Sequence, residues 1–109
     1  MTGTFEAVAE PTRRTILDAL RDGERPVGEL VRALRMSQPA VSKHLGVLRR
    51  AGLVEVRVDA QRRLYRVRSD PLRELDDWLA PYRRQWTSSL DALEEHLGRT
   101  RRRGPGRSR

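Results

Sequence analysis

The eighteen residues from Ser37 to Val54 constrain this chain more than any others. Across them the apolar period changes from helical to strand-like at a glycine. Ser37 suits a helix N-cap, whose side chain accepts from the first free backbone N–H groups. Pro39 falls in the first turn, where a missing N–H costs little. Val41, Leu45 and Leu48 recur at helical spacing as one apolar stripe. On the other side Ser42, Lys43, Gly46 and Arg50 leave a narrow polar face with small residues. Gly52 stands where a helix end needs a left-handed residue. Beyond it Val54, Val56 and Val58 alternate with Glu55, Arg57 and Asp59, the period of a half-buried strand. An ordinary amphipathic surface helix has the same periodicity, so the flanks must decide what this helix is for.

Upstream, Phe5, Val8 and Ala9 indicate a short first helix closed before Pro11. Pro11 opens a second, with Ile16, Leu17 and Leu20 inward and a stop at Gly23. Pro26-Val27 is a candidate short strand pairing with the later hairpin. A third helix is expected over about 28–35, and a tight turn at Met36-Ser37 joins it to the fourth as a helix-turn-helix. Downstream, Asp59-Ala60-Gln61 is a turn and residues 62–68 a return strand carrying Leu64, Tyr65 and Val67. A basic hairpin directly after such a helix is a wing, and its arginines Arg57, Arg62 and Arg63 are expected to reach backbone phosphates or a minor groove.

Charge follows the same division. Residues 1–31 carry −2, residues 32–68 carry +8, residues 69–98 carry −4 and residues 99–109 carry +6. A basic middle between acidic flanks points to a polyanion, with double-stranded DNA the natural partner. Arginine outnumbers lysine 22 to 1, and the single lysine, Lys43, lies in the fourth helix. Cysteine is absent, which excludes disulfides, thiolate catalysis and thiolate metal sites. No apolar run is long enough to span a bilayer and the N-terminus lacks a signal-peptide pattern, so a soluble, cytoplasmic protein away from membranes is expected.

From residue 70 onward Leu72, Leu75, Leu79, Tyr82, Trp86, Leu90, Leu93 and Leu97 recur three or four apart. Pro81 interrupts this run and should kink or break the helix. The stripe is too long to bury within so small a monomer, and a second copy of the chain is the economical partner. Phe5, Val8, Leu79, Tyr82, Trp86, Leu90 and Leu93 are the expected dimer interface. Residues 1–98 are expected to form one domain, and 99–109 a disordered basic tail. The fold class is therefore α+β and mostly helical: a winged helix-turn-helix with N- and C-terminal dimerisation helices.

Glu10-Pro11-Thr12-Arg13-Arg14-Thr15-Ile16-Leu17, Gly28-Glu29-Leu30, the run from Ser37 to Leu45, and Ala51-Gly52-Leu53-Val54 together resemble the ArsR-type winged-helix repressors. The wing Arg62-Arg63-Leu64-Tyr65-Arg66-Val67 is similar to theirs, and the likeness covers roughly residues 4–97. The run Trp78-Leu79-Ala80-Pro81-Tyr82-Arg83-Arg84-Gln85-Trp86 is similar to a cysteine-free branch of that family. The resemblance implies a homodimer that binds an operator, often its own promoter, and represses transcription. The chain departs from the family's metal sensors, having Leu30-Val31-Arg32-Ala33-Leu34 where they carry a cysteine pair. Asp91, Glu94, Glu95 and His96 offer carboxylates but one histidine only, so no metal and no other cofactor is expected. Ala60-Gln61 replaces the glycine common at the wing tip.

The candidate DNA-binding set is Ser37, Gln38, Pro39, Ser42, Lys43, His44, Arg49, Arg50, Arg57, Arg62 and Arg63. Gln38 and Ser42 suit base edges, since an amide pairs bidentately with adenine and a hydroxyl adapts to several bases. Lys43, Arg49 and Arg50 suit phosphate or guanine. His44 leans toward the apolar stripe, which leaves open a phosphate contact or a structural hydrogen bond within the helix-turn-helix. No Gly-rich phosphate loop, paired carboxylate or nucleophile with a base is present, so no enzyme is expected. The function expected is that of a sequence-specific, homodimeric transcriptional repressor binding an inverted-repeat operator, with any small-molecule inducer unidentified. The alternative is a winged-helix module that binds DNA without sequence preference or mediates protein contacts.

Overall fold

Glu10 closes one helix and opens the next. In the computed structural model, which describes residues 2–103 and the side chains of residues 3–98, α1 spans Thr2–Ala9 and α2 spans Pro11–Ala19. Glu10 takes extended backbone between them and its carboxylate accepts from the Arg13 N–H at 3.0 Å, which satisfies one orphan donor of α2. The carbonyls left open at the end of α1 are met by two side chains of α2. Arg13 Nε donates to the Ala7 carbonyl at 2.8 Å, and Arg14 Nη1 to that of Val8 at 2.7 Å. Both put positive charge at the negative end of a helix.

The second helix ends earlier than its apolar pattern predicts. Leu20 caps it, and the chain turns through Gly23 at positive φ into β1, Arg25–Pro26. Arg25 Nε reaches back to the Ala19 carbonyl at 2.8 Å. The third helix, α3, is Val27–Leu34, and Arg35 stops it in the left-handed region at φ 55°. The Met36 N–H then returns to the Val31 carbonyl, and Ser37 begins α4, Gln38–Arg50, by accepting from the Ala40 N–H at 3.3 Å. After Ala51, Gly52 at φ 77° turns the chain out of α4, and the Leu53 N–H bonds the Leu48 carbonyl at 2.9 Å.

Strands β2, Val54–Asp59, and β3, Arg62–Val67, form an antiparallel hairpin with Asp59 opposite Arg62 and Val54 opposite Val67. The expected strand at Pro26 is present one residue early and pairs with the far side of β3, giving the order β1-β3-β2. Ile16, Leu20, Leu30, Val41, Leu45, Leu48, Leu53 and Val54 are buried together, so every element from α2 to β2 that flanks the fourth helix contributes to one core. That core fixes α4 from behind.

The last helix, α5, spans Asp70–Arg103. It passes through Pro81 without a break, and its backbone continues to Arg103, into the segment expected to be a disordered tail. The rest of that tail, 104–109, lies outside the described residues. The chain divides into two compact units at Leu75 and Asp76. Within the second unit Arg83 Nη1 donates to the Asp76 carbonyl at 3.1 Å and to its carboxylate at 2.6 Å. This side chain bridges the turn that contains the proline. No described helix is long and apolar enough to cross a membrane.

Candidate nucleic-acid interface

One face of α4 is spent on the core and the other is bare. Val41, Leu45 and Leu48 are buried, whereas Gln38, Pro39, Ser42, Lys43, Arg49 and Arg50 are exposed. Ser37, at the cap, is also exposed while its hydroxyl holds the first turn. Gly46 sits between these rows, and a Cβ placed there would meet the Arg50 guanidinium at 3.5 Å. The six exposed side chains mix amide, hydroxyl, ammonium and guanidinium groups, which suits contact with both base edges and phosphates.

His44 is placed apart from that row. It is half-buried, its Nδ1 is enclosed without a hydrogen-bond partner, and the Glu10 carboxylate lies 3.8 Å away. Burial raises the pKa of the Glu10 carboxyl. The Arg13 and Thr12 N–H groups, then the charges of His44 and Arg13, outweigh that and hold it below the ordinary carboxylate value. One carboxylate therefore serves both the start of α2 and the back of α4.

The wing arginines are not equivalent. Arg57 lies opposite Leu64 in the hairpin and is bound to Glu24, its Nε 2.9 Å from one carboxylate oxygen and its Nη2 bonded to the other. The hydrogen bond from Arg57 pulls the Glu24 carboxyl below its ordinary value, and the same bond raises the Arg57 pKa. Arg62 reaches Asp59 at 3.3 Å across the turn, and Arg66 is bonded to Glu55. Arg63 projects from the opposite face of the hairpin, with Val58, and has no acidic partner among the described residues. Arg62, Arg63 and Gln61 line a cleft of about 370 Å³ together with Gln38 and the opening residues of α3, Val27 and Gly28. The structure thus brings the wing tip beside the first turn of α4.

Sequence reasoning missed the acidic partners. Two of them had a signal: in a hairpin turning at Ala60-Gln61, Asp59 faces Arg62 and Glu55 faces Arg66 directly. Glu24 had none, being 33 residues from Arg57.

In the second unit Trp86, Leu90 and Leu93 are more than half exposed, Tyr82 is 44% exposed, and Leu79 is half-buried. Trp78 and Tyr82 pack with ring centroids 5.1 Å apart and planes tilted by 45°. In the first unit Phe5 is exposed, but Val8 is half-buried against the core. Among the described residues no three His, Cys, Asp or Glu side chains group closely enough to hold a metal ion.

The profile of the bacterial regulatory protein arsR family matches residues 10–56, from the start of α2 through the first half of the hairpin. An HTH-type transcriptional regulator of Mycobacterium tuberculosis is 43% identical over 86 residues, 79% of this chain and 78% of the relative. Transcriptional repressor SdpR of Bacillus subtilis is 30% identical over 79 residues, 72% of this chain and 88% of its own. Among solved structures, the ArsR-like transcriptional regulator from Rhodococcus sp. RHA1 matches over 89% of each chain with TM-score 0.72 at 27% identity.

Proposed function

Because the chain belongs to the arsR family of bacterial regulatory proteins and is a DNA-binding transcriptional regulator, we propose that it works as a homodimeric repressor on an inverted-repeat operator. The observation that carries the reading is the two-sided α4, clamped by its apolar row and bare on its polar one. Two such helices related by a two-fold axis enter successive major grooves about one helical turn apart. Gln38 and Ser42 read base edges there. Lys43, Arg49 and Arg50 take phosphates or guanine, and Pro39 and the Ser37 cap keep the first turn rigid against the DNA. A dimer seated on an operator that overlaps a promoter blocks polymerase, and the 30% identity to a transcriptional repressor favours that sign of regulation.

Arg63, with Arg62 beside it, grips the flanking backbone through the cleft at the wing tip. Arg57 is already committed to Glu24 and contributes least. His44 holds α4 in place rather than touching DNA, a role supported by its enclosed Nδ1 and by Glu10. The exposed row Tyr82, Trp86, Leu90 and Leu93, with Leu79 and with Phe5 of α1, joins the two copies, while Val8, expected in that contact, packs against the core of its own chain. Residues of this kind, left in water over several turns, mark an interaction surface.

Binding to a panel of single-base operator variants tests the assignment. Gln38→Ala should relax preference at particular base pairs, by about 1–3 kcal/mol each. Arg63→Ala should weaken all sequences alike and lower the salt slope by about one. A uniform loss for Gln38→Ala, or equal binding of operator and random DNA by the native protein, would overturn sequence-specific reading by α4.

A further inference from the structure

Two hollows of the first unit share Arg21 and Val67 in their linings, and no residue of α4 lines either. The first has a volume of about 310 Å³ and is walled by Val8, Leu17, Val67, Leu72 and Leu75, contributed by α1, α2, β3 and the opening turns of α5. The second, of about 400 Å³, is polar and lined in part by Arg21, Glu24, Arg57 and Arg66. Each is within the range of roughly 300–1,000 Å³ over which proteins take small organic ligands.

The charges around them are unevenly committed. Arg57 is bonded to Glu24, Arg66 to Glu55, and the Arg14 guanidinium at the edge of the apolar hollow to the carbonyls of Val8 and Ala9. Arg21 stands at the junction of the two hollows, exposed, and its guanidinium has no partner among the described residues. Asp18, on the apolar side, and Glu24 are the acidic groups lining the two hollows against four arginines, so their combined lining is net cationic. An apolar wall ending at an uncommitted guanidinium complements a molecule with a hydrocarbon body and one anionic end.

We propose that the apolar hollow is a binding site for a medium-chain carboxylate, its tail against Leu17, Val67, Leu72 and Leu75 and its carboxylate on Arg21, where the polar hollow adjoins. Arginine favours this head group because its planar fork meets both carboxylate oxygens. The site goes beyond the DNA-binding reading and is independent of it, since binding is measured without DNA.

Calorimetric titration of the full chain with sodium decanoate below its micellar concentration tests the site, with decanamide and acetate as probes lacking the charge and the tail. Decanoate should saturate one site per chain and bind at least about tenfold tighter than either control, the worth of a charge-assisted contact. Amide shifts should centre on Leu17, Arg21, Val67 and Leu72. Arg21→Gln alters an exposed residue, so the fold is kept. It should cost decanoate the same factor and leave decanamide unchanged. No saturable binding, equal binding of decanoate and decanamide, or shifts confined to residues beyond 75 would overturn the site. Conversion of a dimer to monomers by decanoate, followed by light scattering, would assign the apolar hollow to a second copy of the chain and equally overturn it.

Discussion

Ala60 occupies the first position of the two-residue wing turn at φ 58°, a region that costs a side-chain-bearing residue about 1–2 kcal/mol. Glycine adopts that region freely but gives up more entropy on folding, so the two effects partly cancel. Ala60→Gly should raise stability by about 0.5–1 kcal/mol, read as a higher midpoint in urea unfolding, and a lower midpoint would show that the tip relaxes around alanine. Glu24 gives a second expectation at this scale. Its carboxyl is held below the ordinary value, 4.5, chiefly by the hydrogen bond from Arg57. The unfolded chain therefore binds the proton first, and the stability this pair contributes is present above pH 4.5 and lost as pH falls toward the lowered folded value. Glu24→Gln should lower the plateau of a stability-versus-pH curve above pH 4.5 and flatten that part of its acid limb, the two proteins converging at low pH. An unchanged acid limb would mean that the pair dissolves in solution, as exposed pairs often do.

At the scale of elements, what the sequence disclosed depended on how far a residue's partner lay along the chain. α4 was readable from the Ser37 cap, Pro39 and Gly52 because helix starts and stops are local events. The hairpin was readable because Val54, Val56 and Val58 alternate with charged residues over a short span. The end of α2 was not, because Arg25 caps it from beyond the turn and no helical periodicity records that bond. Nor was the doublet Arg13-Arg14 recognisable as the closure of α1. The candidate site divides in the same way. The bare face of α4 follows from periodicity, whereas the engagement of Arg57 required the fold to bring Glu24 to it. Pro81 shows a local rule giving way, for α5 continues where an interior proline removes one hydrogen bond. Pro81→Ala should restore that bond and add up to about 3 kcal/mol to the terminal helix, seen as increased helicity and a higher melting temperature. A fall in either would indicate that the proline is needed where it stands.

At the scale of the whole molecule, the apolar row of α5 leads to a test that does not involve DNA. Replacing Trp86 and Leu90 together by Asp should place charge in the proposed contact between copies and cost several kcal/mol of association. Light scattering should then report a monomer for the variant and a dimer for the native chain, and a native monomer would remove the symmetric operator with it. The wing's internal ion pairs bear on the molecule as a whole in a further way. With Arg57, Arg62 and Arg66 each facing a carboxylate of the same chain, these three of its 23 basic side chains meet a chromosome already paired. Random DNA attracts a protein through uncommitted cations alone, so such a regulator lingers less at each of the countless wrong sites and returns sooner to solution. A cell then needs fewer copies of the protein to find one promoter in the time between divisions.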